Sequence, residues 1–138
     1  MALSNDPVFA QTPKTAGISF GATSQSTVME PATVAPATLL TAGADGALVT
    51  GVIVTAEGTV TAEKIVLWVQ PGGAGNWYVV ATGLLDAYTQ AATDAQGSVT
   101  LIDKTDPNKA IRLAANDKLG VTHHVDQQSM VMAEYTDF

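Results

Sequence analysis

Residues 39–70 read LLTAGADGALVTGVIVTAEGTVTAEKIVLWVQ, and this stretch decides the fold of the chain. It contains two long runs rich in β-branched residues, at 47–57 and 60–70, with glycine-containing turns around them. Successive side chains of a β-strand point to opposite sides, so alternate positions share a face. The predicted apolar faces consist of Leu48, Val52, Val54 and Ala56 (with Thr50 as the polar exception) and of Ile65, Leu67 and Val69. Each face needs a second sheet to cover it, so the stretch predicts an antiparallel β domain.

Shorter strands are predicted on both sides of this stretch, because short apolar and β-branched runs lie there between turn-forming residues. Their ranges are 17–20, 38–41, 77–81, 99–102, 111–113, 118–125 and 129–138. Residues 83–94 fit a further strand followed by a helical or extended connector. About eight or nine strands at roughly ten-residue spacing, without a convincing helix, are typical of a sandwich. The predicted fold is therefore all-β, an antiparallel two-sheet β-sandwich with jelly-roll-like connections.

Residues 1–36 differ in composition from the rest of the chain, since four of the six prolines fall there among many Ser, Thr, Ala and Gln residues. Proline removes a ladder donor and fixes φ, so this segment is not a central strand throughout. Two interpretations are open, a frayed tail or an extended N-terminal arm that lies on a neighbouring subunit. The apolar residues that would anchor an arm are Val8, Phe9, Ile18 and Phe20. We adopt the arm, which places the sandwich domain at 37–138.

Charge and cysteine content exclude several classes of function. The chain has 6 Lys and Arg residues against 13 Asp and Glu, for a net charge of −7. Nucleic acids and anionic membranes require clustered cations, and the few here are scattered, so neither partner is predicted. The absence of cysteine excludes a disulfide framework, a thiolate zinc site and a cysteine nucleophile. We expect no signal peptide, and no apolar run approaches the ~20 residues of a membrane span.

Histidines and carboxylates are the candidates for metal binding and catalysis. His123 and His124 are adjacent, so on a strand their rings face opposite ways and do not easily share one ion. His123 falls on an apolar face and is predicted to be a core or interface residue, while His124 is expected to face solvent or a neighbour. The pairs Asp103 with Asp106, and Asp86 with Asp94, fit a calcium site or an acid/base pair, but aspartate is also common in turns for backbone reasons. We predict no catalytic, cofactor-binding or metal-binding residue and no cofactor.

Aromatic residues offer two further interpretations. Trp68, Trp77, Tyr78 and Tyr88 are able to stack on a sugar, or to mark a subunit interface. The side chain of Trp68 points to the side of its strand that Ile65 and Leu67 do not share. We therefore expect it to be exposed on the outer face of a sheet. We favour the subunit interface over the sugar-binding site. A carbohydrate-binding module and, less favoured, an enzyme remain as rival classes.

Several segments resemble small β-sandwich virion structural proteins of tailed bacteriophages, of the capsid decoration or head-fibre type. The resemblance covers residues 37–138 and is carried by 41–49, 56–59, 64–69, 111–119 and the closing Ala-Glu-Tyr-Thr-Asp-Phe at 133–138. It implies a non-enzymatic subunit that is often trimeric, and no catalytic residue is carried over from it. Residues 1–36 do not take part in the resemblance.

The expected function that this resemblance implies is a capsid decoration, or cement, protein. Such a head protein would bind the outer surface of the capsid through its N-terminal arm, after synthesis in the host cytoplasm. Its expected partners are the major capsid protein and copies of itself, as a homotrimer. The alternative is a tail or head-fibre subunit that binds a carbohydrate receptor.

Overall fold

A computed structural model describes residues 12–21, 35–125 and 127–138. These residues form nine strands and two short 3-10 turns, the latter at Pro71–Gly73 and Pro107–Lys109. The strands are β1 (Thr12–Phe20), β2 (Ala37–Thr41), β3 (Ala47–Ala56), β4 (Glu63–Gln70), β5 (Tyr78–Leu85), β6 (Ser98–Ile102), β7 (Ile111–Leu113), β8 (Lys118–His123) and β9 (Ser129–Asp137). No helix in the described part of the chain is long and apolar enough to cross a membrane.

The strands pair into two antiparallel sheets. One is five-stranded with the order β1-β9-β3-β6, and β7 also pairs with β3; the other is four-stranded with the order β2-β8-β4-β5. Strands β6 and β7 pair with opposite ends of β3, so they act as one interrupted strand. With that strand counted once, successive strands alternate between the sheets except at the β4–β5 hairpin. This is jelly-roll wiring, which confirms the predicted two-sheet sandwich.

The core lies between the two sheets and consists of the inward-facing apolar residues of both. Ile65 and Leu67 are buried there and Val69 packs against them, as the alternation of β4 predicts. The other sheet contributes inward-facing residues of β3 and β9, among them Val54 and Val131. Each sheet therefore supplies the cover that the other requires.

A β-bulge in β3 changes which side chains of that strand face the core. Val49 pairs with Tyr135 and Gly51 pairs with Glu134, so Thr50 is an extra residue opposite β9. The extra residue reverses the alternation, and Val49 is buried before it while Val52 is buried after it. The prediction that Leu48 shares the face of Val52 is therefore wrong.

The sandwich begins earlier than the predicted boundary between residues 36 and 37. Strand β1 lies inside the range predicted to be an arm, yet it pairs with β9 of its own chain over its whole length. Phe20 is buried and Ile18 packs against the core, so both contribute to the sandwich itself. Pro13 is tolerated because β1 is an edge strand. Residues 1–11 and 22–34 lie outside the described residues, and for them the arm stays a prediction.

Candidate functional site

His123 ends β8 inside the sandwich, with no exposed surface, which confirms that it is a core histidine. Its Nδ1 lies 2.5 Å from Oε1 of Glu63, the first residue of β4, whose side chain is also fully buried. Its Nε2 lies 3.2 Å from the carbonyl oxygen of Phe20. The rings of Phe20 and His123 also stack, with their centroids 4.2 Å apart. This buried cluster therefore joins β1, β4 and β8.

The hydrogen bonds of this cluster satisfy the polar atoms of both side chains. A carbonyl oxygen only accepts, so in its contact with Phe20 the Nε2 of His123 is the donor. The other ring nitrogen, Nδ1, pairs with Oε1 of Glu63. The second carboxylate oxygen accepts from the backbone N–H of Val125 at 3.1 Å. Each polar atom of the two side chains thus has a partner, which is the condition for burying such a pair.

The neighbouring histidine does not join this cluster. His124 follows the end of β8 and is half-buried. Its Nδ1 is buried and has no hydrogen-bond partner among the residues that the structure describes. Within residues 12–21, 35–125 and 127–138, no three His, Asp or Glu side chains come close enough together to hold a metal ion.

The aspartates proposed for calcium make local turns. Asp103 accepts from the backbone N–H and the hydroxyl of Thr105, at 2.9 and 2.7 Å. Asp106 accepts from the backbone N–H of Asn108 at 3.0 Å and caps the short 3-10 turn. Both contacts are to residues two positions later, which is the Asx-turn pattern expected of aspartate in a loop.

The hydroxyl of Thr105, followed by its backbone N–H, holds the pKa of Asp103 below its ordinary value. The folded state thus favours the carboxylate, and the resulting stability is present above the ordinary pKa and lost as the pH falls through the lowered one. We expect Thr105→Ala to raise the pKa of Asp103 and Thr105→Ser to leave it low, as measured by NMR titration of the carboxyl carbon. Equal pKa values in both variants would contradict this assignment.

The tryptophans are buried, so the prediction that Trp68 is exposed on the outer face is wrong. Trp68 does point away from the main core, but it has no exposed surface and forms a second cluster with Val66 and Trp77. Its Nε1 donates to the hydroxyl of Thr122 at 2.9 Å. A buried indole offers no face for stacking on a sugar. Of the four aromatic candidates, Tyr78 is exposed, at 49%.

The outer face of the five-stranded sheet carries an exposed apolar surface. Ile53, Met130 and Met132 are 42%, 48% and 53% exposed. Ile53 pairs with Met132 across β3 and β9, and Met132 pairs with Gly17 across β9 and β1. Since glycine has no side chain, Met132 borders a gap on the side of β1. A contiguous apolar patch of this kind marks an interaction surface more often than isolated exposed residues do.

This surface forms a groove, which we call the outer groove. One part, of about 420 Å³, is lined by residues of β1, β3 and β9, including Gly17, Ser19 and Met130. An adjoining hollow of about 210 Å³ shares Ile53 and Met132 with it and reaches the loop after β6. At that end Nζ of Lys104 and Oε1 of Glu134 form an ion pair of 3.2 Å. The outer groove thus has an apolar middle and one charged end.

Sequence reasoning missed both the partner of His123 and the outer groove. Glu63 carried a signal, because it is a charged residue in phase with the inward-facing Ile65 and Leu67. The alternation of β9 places Met130 and Met132 on the side opposite to the buried residues of that strand. It gave no indication that their side of the sheet is open.

Comparisons with known proteins yield a distant structural likeness. No protein-family model matches the chain, and no curated protein matches it significantly. The chain is similar to the structure of Eiger TNF from S. frugiperda, with a TM-score of 0.49 and 11% sequence identity. The likeness covers 93% of this chain and 94% of that one. The jelly-roll wiring described above follows from the strand pairing of this chain itself.

Proposed function

We propose that this chain is a non-enzymatic structural protein of a tailed-bacteriophage virion, and specifically a decoration protein on the outer surface of the head. Made in the host cytoplasm, it binds the assembled capsid through its N-terminal arm. Its partners are the major capsid protein and further copies of itself, in homotrimers. Arms that reach adjacent chains make many weak contacts, and together these contacts attach the protein firmly to the capsid.

The outer groove is the observation that carries this proposal. A single subunit gains nothing from leaving Ile53, Met130 and Met132 in water, whereas an associating subunit covers such a surface. The resemblance of residues 37–138 to virion proteins suggests that the assembly in which this subunit takes part is a virion. The burial of Trp68 and Trp77 weakens the alternative of a carbohydrate-binding fibre subunit, because neither ring is free to stack on a sugar.

Electron microscopy of labelled virions tests the location. An antibody raised against the purified chain should decorate the heads of the phage whose genome encodes it, at many regularly spaced positions. Label on the tail fibres would favour the alternative subunit. Virions without any label would refute a structural role in the particle.

Two truncations distinguish the role of the arm in head binding from the role of β1 in the stability of the sandwich. Removal of residues 1–11 should leave the melting temperature nearly unchanged but abolish co-sedimentation with heads. Removal of residues 1–20 also deletes β1, leaves one backbone edge of β9 unpaired, removes the buried ring of Phe20 and leaves Nε2 of His123 without its acceptor. We expect that second truncation to cost about 3 kcal/mol or more of folding free energy. Full head binding by the shorter truncation would contradict the arm's role.

A further inference from the structure

We propose that the outer groove of each copy receives Val8 and Phe9 from the N-terminal segment of a neighbouring copy. The inference rests on the proposed assembly and deepens it, because it names the contact that Val8 and Phe9 of the arm make between copies, in addition to the attachment of the arm to the capsid.

The groove suits one or two apolar side chains on an extended segment. Its middle is lined by Ile53 and by the unbranched side chains of Met130 and Met132, which adapt their shape to what they contact. Gly17 leaves open space beside Met132, directly across the β1–β9 pair. Met132 thus stands between Ile53 on one side and that open space on the other, and Val8 and Phe9 offer the apolar bulk to fill it.

Reach excludes the middle of the groove of the same chain. From Thr12, where β1 begins, the strand runs five residues to Gly17, opposite Met132, a distance of about 17 Å at the usual rise of a strand. Phe9 precedes Thr12 by three residues and Val8 by four, so even fully extended they extend only ~11 and ~14 Å from it. Neither side chain can double back to the middle of its own groove. The groove that they fill therefore belongs to another copy.

The direction in which the chain enters β1 also argues against the groove of the same chain. Pro13 follows Thr12, and a residue before proline is held in an extended conformation. The chain therefore enters β1 without a helical turn at Thr12 to fold the preceding segment back over its own sheet.

Charge favours this segment as the occupant. The whole chain carries a net charge of −7, so two copies repel each other wherever their acidic surfaces approach. Asp6 is the one charged side chain in residues 1–11, and it lies outside the Val8–Phe9 pair. An almost neutral, apolar segment entering an apolar groove brings copies together with little of that repulsion. Since segment and groove are different surfaces, copies joined head-to-tail close into a ring such as a trimer when the rotation between neighbours permits it.

Sedimentation equilibrium of the full chain and its variants tests the contact. We expect the unaltered chain to associate, and Met132→Asp and Phe9→Asp each to lower the association constant at least roughly 30-fold. Leu84→Asp is the matched control, because Leu84 is 60% exposed but lies on β5 of the other sheet. It should change the association constant by less than about threefold. Circular dichroism and thermal melting establish that each variant folds.

Cross-linking identifies the two surfaces directly, since the chain contains no cysteine. A mixture of Phe9→Cys chains and Met132→Cys chains should form a disulfide-linked two-chain product, which a mixture with Leu84→Cys chains should not. A monomeric wild type, an equal effect of Leu84→Asp, or no mixed product would overturn the inference. Labelled heads together with an equal effect of Leu84→Asp or with no mixed product would leave the proposed function standing, whereas a monomeric wild type would also contradict its homotrimers. Unlabelled virions with a confirmed cross-link would remove only the phage assignment.

Discussion

Replacing Glu63 with alanine is expected to cost about 3–5 kcal/mol of folding free energy, because it breaks a buried pair on one side. The substitution removes the partner of Nδ1 of His123 and the acceptor for the N–H of Val125 at once. Both groups remain buried among apolar side chains, where an unpaired polar atom is costly. Urea denaturation followed by circular dichroism measures the loss.

Two comparisons make that result specific. Asp86→Ala removes an exposed carboxylate and should change stability by no more than about 0.5 kcal/mol. The double variant Glu63→Ala/His123→Ala should cost less than the sum of the two single variants, because the second substitution removes the group that the first left unpaired. Strict additivity would show that the buried contact contributes no coupling.

Replacing Trp68 with alanine should be nearly as damaging, at about 3–5 kcal/mol. The side chain is fully buried against Val66 and Trp77, and its loss leaves a large cavity on the outer side of β4. The hydroxyl of Thr122 also loses its donor. The variant retains Trp77 as its single tryptophan, so the fluorescence of that residue in urea reports unfolding directly.

Tyr78→Ala provides the aromatic control for this second substitution. Tyr78 begins β5, next to β4 in the same sheet, but 49% of its surface is exposed. We expect its removal to cost no more than about 1 kcal/mol. A Trp68→Ala variant that is as stable as Tyr78→Ala would mean that the second cluster does not stabilise the fold.

Alternation along single strands predicted most of the architecture, because it depends only on local backbone geometry. It identified Ile65 and Leu67 as residues of an apolar face that a second sheet covers, and both are buried in the core. It failed at Thr50, where the extra residue is defined by pairing with β9, about eighty positions away in sequence, and a bulge of that kind has no reliable local signal.

The candidate site was harder to predict for a related reason. Alternation states the side of the sheet on which a residue lies, but not whether that side is covered. Trp68 and Met132 both lie on outer faces, yet Trp68 is fully buried and Met132 is 53% exposed. Likewise, Glu63 and His123 are sixty residues apart, and only the pairing of β4 with β8 brings them together.

The position of β9 between β1 and β3 has a consequence for biosynthesis. The first strand along the described chain and the last one are direct neighbours, so the five-stranded sheet stays incomplete until residues 129–137 have left the ribosome. Until then β1 and β3 have no partner between them, and contacts of such long sequence separation form slowly. Nascent chains therefore keep the largest sheet unfinished until residues 129–137 emerge, and β1 and β3 lack their native neighbour up to that point.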